Sequence, residues 1–190
     1  MDLSLREKWD AIYRDGAVGS PARVLLDFAH LLPPAGCALD LACGMGANGL
    51  FLAVHGLTTQ AWDISPVAVA QLQERAQRDQ LPLSAHVCDV SAVLPQPAAF
   101  DVIVVSHFLD RSLMPALVAA VRPQGLLFYQ TFTRERVDDS GPRNPEFRLA
   151  ANELLRLCAP LHVLAYREEG SVGDTQQGWR NLAYIVAQRR

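Results

Sequence analysis

From Cys37 onward, short apolar runs rich in β-branched residues alternate with helix-like patterns of apolar positions. The runs predict strands over Ala38–Ala42, Thr58–Trp62, Leu83–Val87, Asp101–Ser106, Leu126–Phe132, Leu161–Arg167 and Asn181–Gln188. The segments between them predict helices over Ala47–His55, Pro66–Arg78, Leu113–Val121 and Ala150–Cys158. Alternation of this kind marks a parallel sheet with covering helices. Ser65-Pro66 is the clearest helix start, because the serine caps one orphan amide and proline removes another. Val69, Leu72 and Ala76 then share one face. Pro115 fits the third helix only in its first turn. Glu168–Gly178 carries no helical pattern, so the last two strands are expected to pair antiparallel. Upstream of the first strand, Leu3–Tyr13 and Pro21–Leu32 read as two more helices, joined by D-G-A-V-G-S and placed as a lid.

A chain of 190 residues suits a single domain, with residues 1–35 as the helical lid and 36–190 as the core. Half the residues are hydrophobic, and a net charge of −3 offers no basic field for phosphates, so no nucleic acid partner is expected. No stretch approaches the roughly 20 apolar residues of a membrane span, and M-D-L-S-L-R-E-K-W-D has no apolar core for a signal peptide. Cys37, Cys43, Cys88 and Cys158 are scattered, without a C-x-x-C pair. His30, His55, His86 and His162 lack ligand spacing, so no metal is expected and a reducing cytoplasm fits.

Candidate chemistry gathers where the first strand meets a glycine turn, in A-L-D-L-A-C-G-M-G-A-N-G at Ala38–Gly49. Gly44, Gly46 and Gly49 alone fit the G-x-G-x-x-G turn that carries dinucleotide pyrophosphates. A carboxylate at Asp40 would repel a pyrophosphate and welcome a cofactor bearing positive charge. S-adenosylmethionine, with a sulfonium, an ammonium and no phosphate, suits this turn better than a nicotinamide. Asp40, Asp63 and Asp89 end the first three strands, where open parallel sheets bind ligands. Asp63 follows Gly44 by nineteen residues and is expected to hold ribose hydroxyls. Asp89 is placed to accept from the adenine amino group, with Ile64 and Val90 on the ring faces. As a strand-end carboxylate, Asp63 is expected to be replaceable by alanine with weaker cofactor binding and little loss of fold.

These segments resemble the class I S-adenosylmethionine-dependent methyltransferases from about Ala38 to the C-terminus. D-L-A-C-G-M-G is similar to the first motif of that superfamily, A-W-D-I-S to the second, H-V-C-D-V to the third and F-D-V-I-V-V-S to the fourth. R-P-Q-G-L-L-F-Y at Arg122–Tyr129 resembles the segment leading into the fifth strand. Where the superfamily commonly has glycine, this chain has Ala42. The resemblance implies an α/β fold, a Rossmann-like three-layer sandwich with a seven-stranded, mostly parallel sheet. Its last strand would lie antiparallel between the fifth and sixth. It also implies cofactor contacts from Ala42, Cys43, Gly44, Gly46, Asn48 and Ser106. W-D-A-I-Y-R at Trp9–Arg14 and G-P-R-N-P-E-F-R-L-A-A-N-E-L at Gly141–Leu154 resemble the small bacterial tellurite-resistance and thiopurine-type members. In those members the N-terminal segment folds over the cofactor, which would put Trp9 and Tyr13 there.

Methyl transfer from a sulfonium is an in-line displacement, so the protein aligns, desolvates and excludes water. His107, directly after the fourth strand in V-S-H-F-L-D, is the candidate base or acceptor-orienting group; its alternative is to line the cofactor pocket. Phe108 and Phe147 are candidate acceptor contacts. Arg134, Arg136, Arg143 and Arg148 crowd one loop and are either anion-recognising residues, Arg134 and Arg143 above all, or part of a solvated mixed-charge loop. The acceptor expected is a small molecule: a thiol, a chalcogen oxyanion or a small heteroaromatic. Two other readings stand beside this one, a protein that binds the cofactor without turnover and a nicotinamide-dependent oxidoreductase.

Overall fold

The computed structural model describes residues 3–190; Met1 and Asp2, with which the expected lid begins, lie outside them. Seven strands form one sheet: β1 (Gly36–Leu41), β2 (Leu57–Asp63), β3 (Leu83–Val87), β4 (Phe100–Ser106), β5 (Val121–Phe132), β6 (His162–Glu168) and β7 (Leu182–Gln188). Their order is β3-β2-β1-β4-β5-β7-β6, parallel except for β7, which runs antiparallel to both β5 and β6. The expected Rossmann-like topology is therefore the one observed.

Period-two alternation along the central strands sorts their side chains into two apolar layers. Leu39, Leu41, Ile103, Val105, Leu127 and Tyr129 pack on one face with α5 (Met114–Ala120) and α6 (Glu153–Leu157). Ala38, Val102, Val104, Leu126 and Phe128 pack on the other with α2 (Arg23–Asp27) and with Leu52 of α3 (Ala47–Val54). Each large aliphatic side chain so buried contributes about 1.5–3 kcal/mol before entropy is counted. Leu50 and Ala53 of α3 meet Leu72 and Ala76 of α4 (Pro66–Arg78) in a third cluster. α4 starts at the expected place, with the Ser65 hydroxyl accepting from Ala68 N–H at 3.2 Å.

Several predicted helices are shorter than expected. The span Pro21–Leu32 divides into α2 and a 3-10 turn at Ala29–Leu31, because Phe28 leaves helical geometry at φ −118°, ψ 22°. The start of α2 is held from far along the chain: the Asn48 side-chain oxygen accepts from Ala22 N–H at 2.7 Å, and that of Gln130 accepts from Val24 N–H at 3.0 Å. α6 cannot reach back to Ala150, since Asn152 is left-handed at φ 56°. The helix expected from Leu113 begins as a 3-10 turn, Arg111–Leu113, capped by Asp110; Pro115 does fall in the first turn of α5. Val121 belongs to β5.

Candidate active site

The strand order reverses between β1 and β4, and at such a point the loops leave in opposite directions and open a crevice. A cavity of about 660 Å³ lies there, within the usual range for small-molecule sites. Its floor is the glycine turn after β1. Gly46 takes φ +76° and caps α3; a Cβ on it would stand 2.4 Å from both methyl carbons of Leu72, so neither its conformation nor its surroundings admit a side chain. Ala42 is also left-handed, at φ 55°. A Cβ at this position, where the resemblance leads to the expectation of glycine, is thus strained.

Asp63 shapes this turn from the end of β2. One carboxylate oxygen accepts from Gly44 N–H at 2.7 Å and the other from Ser65 N–H at 2.9 Å. The side chain is only 5% exposed yet lines the cavity. Burial pushes its pKa up, and the backbone donors of Ser65 and Gly44 partly offset that. Asp89 lines the cavity from beyond β3, with Ser91 N–H and its hydroxyl both bonded to one carboxylate oxygen and holding the pKa below the ordinary value. Ile64 and Val90 stand on the same wall.

Helix α1 (Leu3–Arg14) covers this floor. Asp10 accepts from the Ser65 hydroxyl and, at 3.4 Å, from Val67 N–H, so the acidic side chain sits at the N-terminus of α4, where the helix dipole favours it. Trp9 and Tyr13 stack at 5.5 Å, and both line the cavity. A Cβ on Gly44 would come within 2.8 Å of the Tyr13 hydroxyl, so the phenol rests directly on the glycine turn. Burial, and then the charge of Asp63, raise the pKa of that phenol.

Opposite the turn, β4 delivers Ser106 and His107. Asn48 donates to the Ser106 hydroxyl at 2.9 Å. His107 is left-handed at φ 55°, its N–H bonded to the Gln130 carbonyl at 2.9 Å. Its ring lies 5.2 Å from that of Phe132 and opens into the cavity. The ring is accessible yet ringed by protein, and this partial desolvation lowers its pKa below the ordinary histidine value. A neutral imidazole able to take up a proton results.

Of the predicted site residues, Trp9, Tyr13, Ala42, Cys43, Gly44, Gly46, Asn48, Asp63, Ile64, Asp89, Val90, Ser106, His107, Phe108 and Phe147 all line this cavity. Asp40 does not. It is fully buried behind the turn, accepting from Gly49 N–H at 2.7 Å, and desolvation pushes its pKa up to about 7. The negative charge facing the cavity from this side belongs to Asp63. Arg134 and Arg143 also lie outside the lining: Arg134 stands 3.5 Å from Glu146, and Arg143 is an exposed loop residue. Arg111 is one of the lining residues that sequence reasoning passed over, and the one that is cationic. It grips Glu153 through Nε at 2.6 Å and Nη2 at 3.0 Å, a pairing across 42 residues that no local pattern signals.

Residues 38–125 match a family model described as a methyltransferase domain. The probable S-adenosyl-L-methionine-dependent methyltransferase TehB of Haemophilus influenzae is 32% identical over 165 residues, which are 83% of this chain and 57% of that protein. A crystal structure of TehB from Haemophilus influenzae superposes with a TM-score of 0.73 at 25% identity, covering 97% of this chain and 67% of that one. The chain thus resembles the class I S-adenosylmethionine-dependent methyltransferases, TehB among them. A second relative, hemagglutinin 1 of Eikenella corrodens, is 42% identical over 84 residues, 43% of this chain and 28% of that protein. The chain therefore spans between about a quarter and under two thirds of the length of these two curated relatives. S-adenosylmethionine is the cofactor of this methyltransferase family, and the groups present suit it: a turn whose Gly44 and Gly46 bring bare backbone to the cavity, and an acidic wall facing a cationic ligand. Among the described residues of the domain, no helix is long and apolar enough to cross a membrane, and no three potential ligand side chains converge on a metal position.

Proposed function

We propose that this chain transfers a methyl group from S-adenosylmethionine to a small-molecule acceptor. The observation that carries the reading is one cavity joining the Asp63-braced glycine turn to His107 at the end of β4. The bound cofactor supplies an electrophilic methyl group on a sulfonium. Asp63 holds the ribose hydroxyls; Asp89 accepts from the adenine amino group, with Ile64 and Val90 against the ring. Gly44, Gly46 and the Ser106–Asn48 pair surround the methionine part, and Asp40 acts on it from behind the turn by shaping Gly49. Trp9 and Tyr13 close over the site and keep water out. His107 orients the acceptor and takes its proton when it arrives protonated, while Phe108 and Phe147 hold its body.

Calorimetric titration with S-adenosylmethionine, S-adenosylhomocysteine and NADH tests the cofactor assignment. Binding of the first two, with none of the third, is expected. Binding of NADH alone would replace this reading with a nicotinamide-dependent one. Binding of S-adenosylmethionine without turnover on any acceptor would leave a cofactor-binding protein.

A further inference from the structure

The inner face of α1 lacks the aliphatic stripe that fixes most surface helices to a core. Among the described side chains of this helix, the half-buried ones are Arg6, Trp9, Asp10 and Tyr13, spaced as one helical face. Leu5 and Ile12 are 42% and 50% exposed. We infer that Asp10 is a positioning residue for the cofactor: it latches α1 to Ser65 and so holds Trp9 and Tyr13 over the site. This rests on the methyl-transfer reading above.

The latch shares its anchor with the cavity floor. Ser65 is the N-cap of α4, and its hydroxyl accepts from Ala68 N–H at 3.2 Å while donating its one proton to Asp10. Pro66 has no amide to satisfy. The next amide, Val67 N–H, donates to the same Asp10 oxygen at 3.4 Å. The first turn of α4 is therefore capped partly by its own serine and partly by a carboxylate brought from another helix, where the dipole favours negative charge. On its other side Ser65 N–H donates to Asp63 at 2.9 Å, and the second Asp63 oxygen holds Gly44 N–H. One residue thus stands between the lid carboxylate and the carboxylate assigned to the ribose. Without Asp10, Ser65 still caps Ala68 and still holds Asp63. The loss falls on α1.

The rest of the lid gives α1 little second hold. The chain runs from Arg14 to Arg23 without helix or strand, and is fixed again where Ala22 N–H meets Asn48 and Val24 N–H meets Gln130. α4 is the element on which α1 chiefly packs. A helix of 12 residues is marginal in water by itself. Released from Ser65, α1 loses docking and helicity together, and Trp9 and Tyr13 leave the cavity wall with it. A ligand under the two rings favours the docked helix, and the docked helix slows the ligand's escape, as linkage requires.

Trypsin reads docking directly, because Arg6, Lys8 and Arg14 lie in α1. S-adenosylhomocysteine is the probe, with affinity read by calorimetry and release by stopped-flow tryptophan fluorescence. The native chain is compared with Asp10→Ala, Ser65→Asp and the double variant Asp10→Asn/Ser65→Asp. Aspartate caps a helix as well as serine does, so Ser65→Asp keeps the start of α4 while setting a second carboxylate against Asp10. In the double variant an amide again donates to a carboxylate. Asp10→Ala and Ser65→Asp should each be cut within α1 roughly ten-fold faster than the native chain, and should release the ligand roughly ten-fold faster, with urea midpoints little changed. The double variant should recover most of both losses. Native rates of cleavage and release in Asp10→Ala overturn the inference, and so does a double variant no better than Ser65→Asp. Faster release without faster cleavage also overturns it, since the lid would then have stayed docked. Failure of the native chain to bind S-adenosylhomocysteine appears before any variant is compared, and overturns the methyl-transfer reading and this inference together.

Discussion

Asp63→Ala separates the structural from the ligand-binding work of one carboxylate. Both its oxygens are engaged in the free protein, by Gly44 N–H at 2.7 Å and Ser65 N–H at 2.9 Å. Alanine leaves two amides without their acceptor, and a buried unsatisfied donor costs about 1–3 kcal/mol. Two effects reduce the sum. Gly44 lines the cavity, so water can reach its amide, and removing a desolvated carboxylate relieves the burial that raises its pKa. We expect a net loss of about 2 kcal/mol, which a urea slope of about 2 kcal/mol/M turns into a midpoint shift of about 1 M. Asparagine, which keeps one acceptor, should lose about half as much. This corrects the expectation from sequence that the fold would scarcely notice. A stability change under about 0.5 kcal/mol for Asp63→Ala would refute the reasoning, since the two amides would then be served by something else. Calorimetry with S-adenosylhomocysteine on the same variants should show affinity reduced by about ten- to a hundred-fold, the loss of a charge-assisted hydrogen bond. Unchanged affinity would remove the ribose role while leaving the turn-bracing role intact.

Three further outcomes are expected. Ala42→Gly frees a left-handed residue at φ 55° from a cost of about 1–2 kcal/mol but loosens the unfolded chain by about 0.5–1 kcal/mol, so urea midpoints should show a small gain in stability. Asp40 has a folded pKa of about 7 against an ordinary 3.8, so the folded state binds its proton the more tightly. Its contribution to stability is fully present below about pH 4 and is lost as pH rises through about 7, a change on the order of a few kcal/mol. Stability of the native protein relative to Asp40→Asn, measured at pH 5 and pH 8, should therefore fall with pH; a flat difference would contradict the burial argument. Arg148→Met strips the carbonyls of Thr133, Ser140 and Pro142 of their shared donor, and removes the guanidinium stacked 5.5 Å from the Phe132 ring. A loss of about 2–4 kcal/mol in urea denaturation, with faster proteolysis within residues 133–148, is the expected result.

The sequence by itself determined the parts of this protein whose causes are local. Apolar runs rich in β-branched residues marked all seven strands, most plainly the central ones, because a strand buried on both faces needs apolar residues whatever its neighbours are. Ser65-Pro66 fixed the start of α4, and the glycine turn with Asp63 nineteen residues beyond Gly44 marked most of the cavity floor. Tertiary structure decided what depends on partners distant in the chain. Gln130 holds the first turn of α2 across 106 residues, and Arg111 reaches Glu153 across 42; neither separation leaves a periodic trace. Asp40 and Asp63 are both acidic residues near strand ends, equally suited on paper to face a ligand. Packing seals the first behind α3 and opens the second to the cavity, because Gly49 N–H takes the Asp40 carboxylate inward while Gly44 N–H draws Asp63 over the turn. The loop arginines show the same division. Their positive charge is plain in the sequence, but whether it is free for a substrate depends on which carboxylates and carbonyls the fold brings against them.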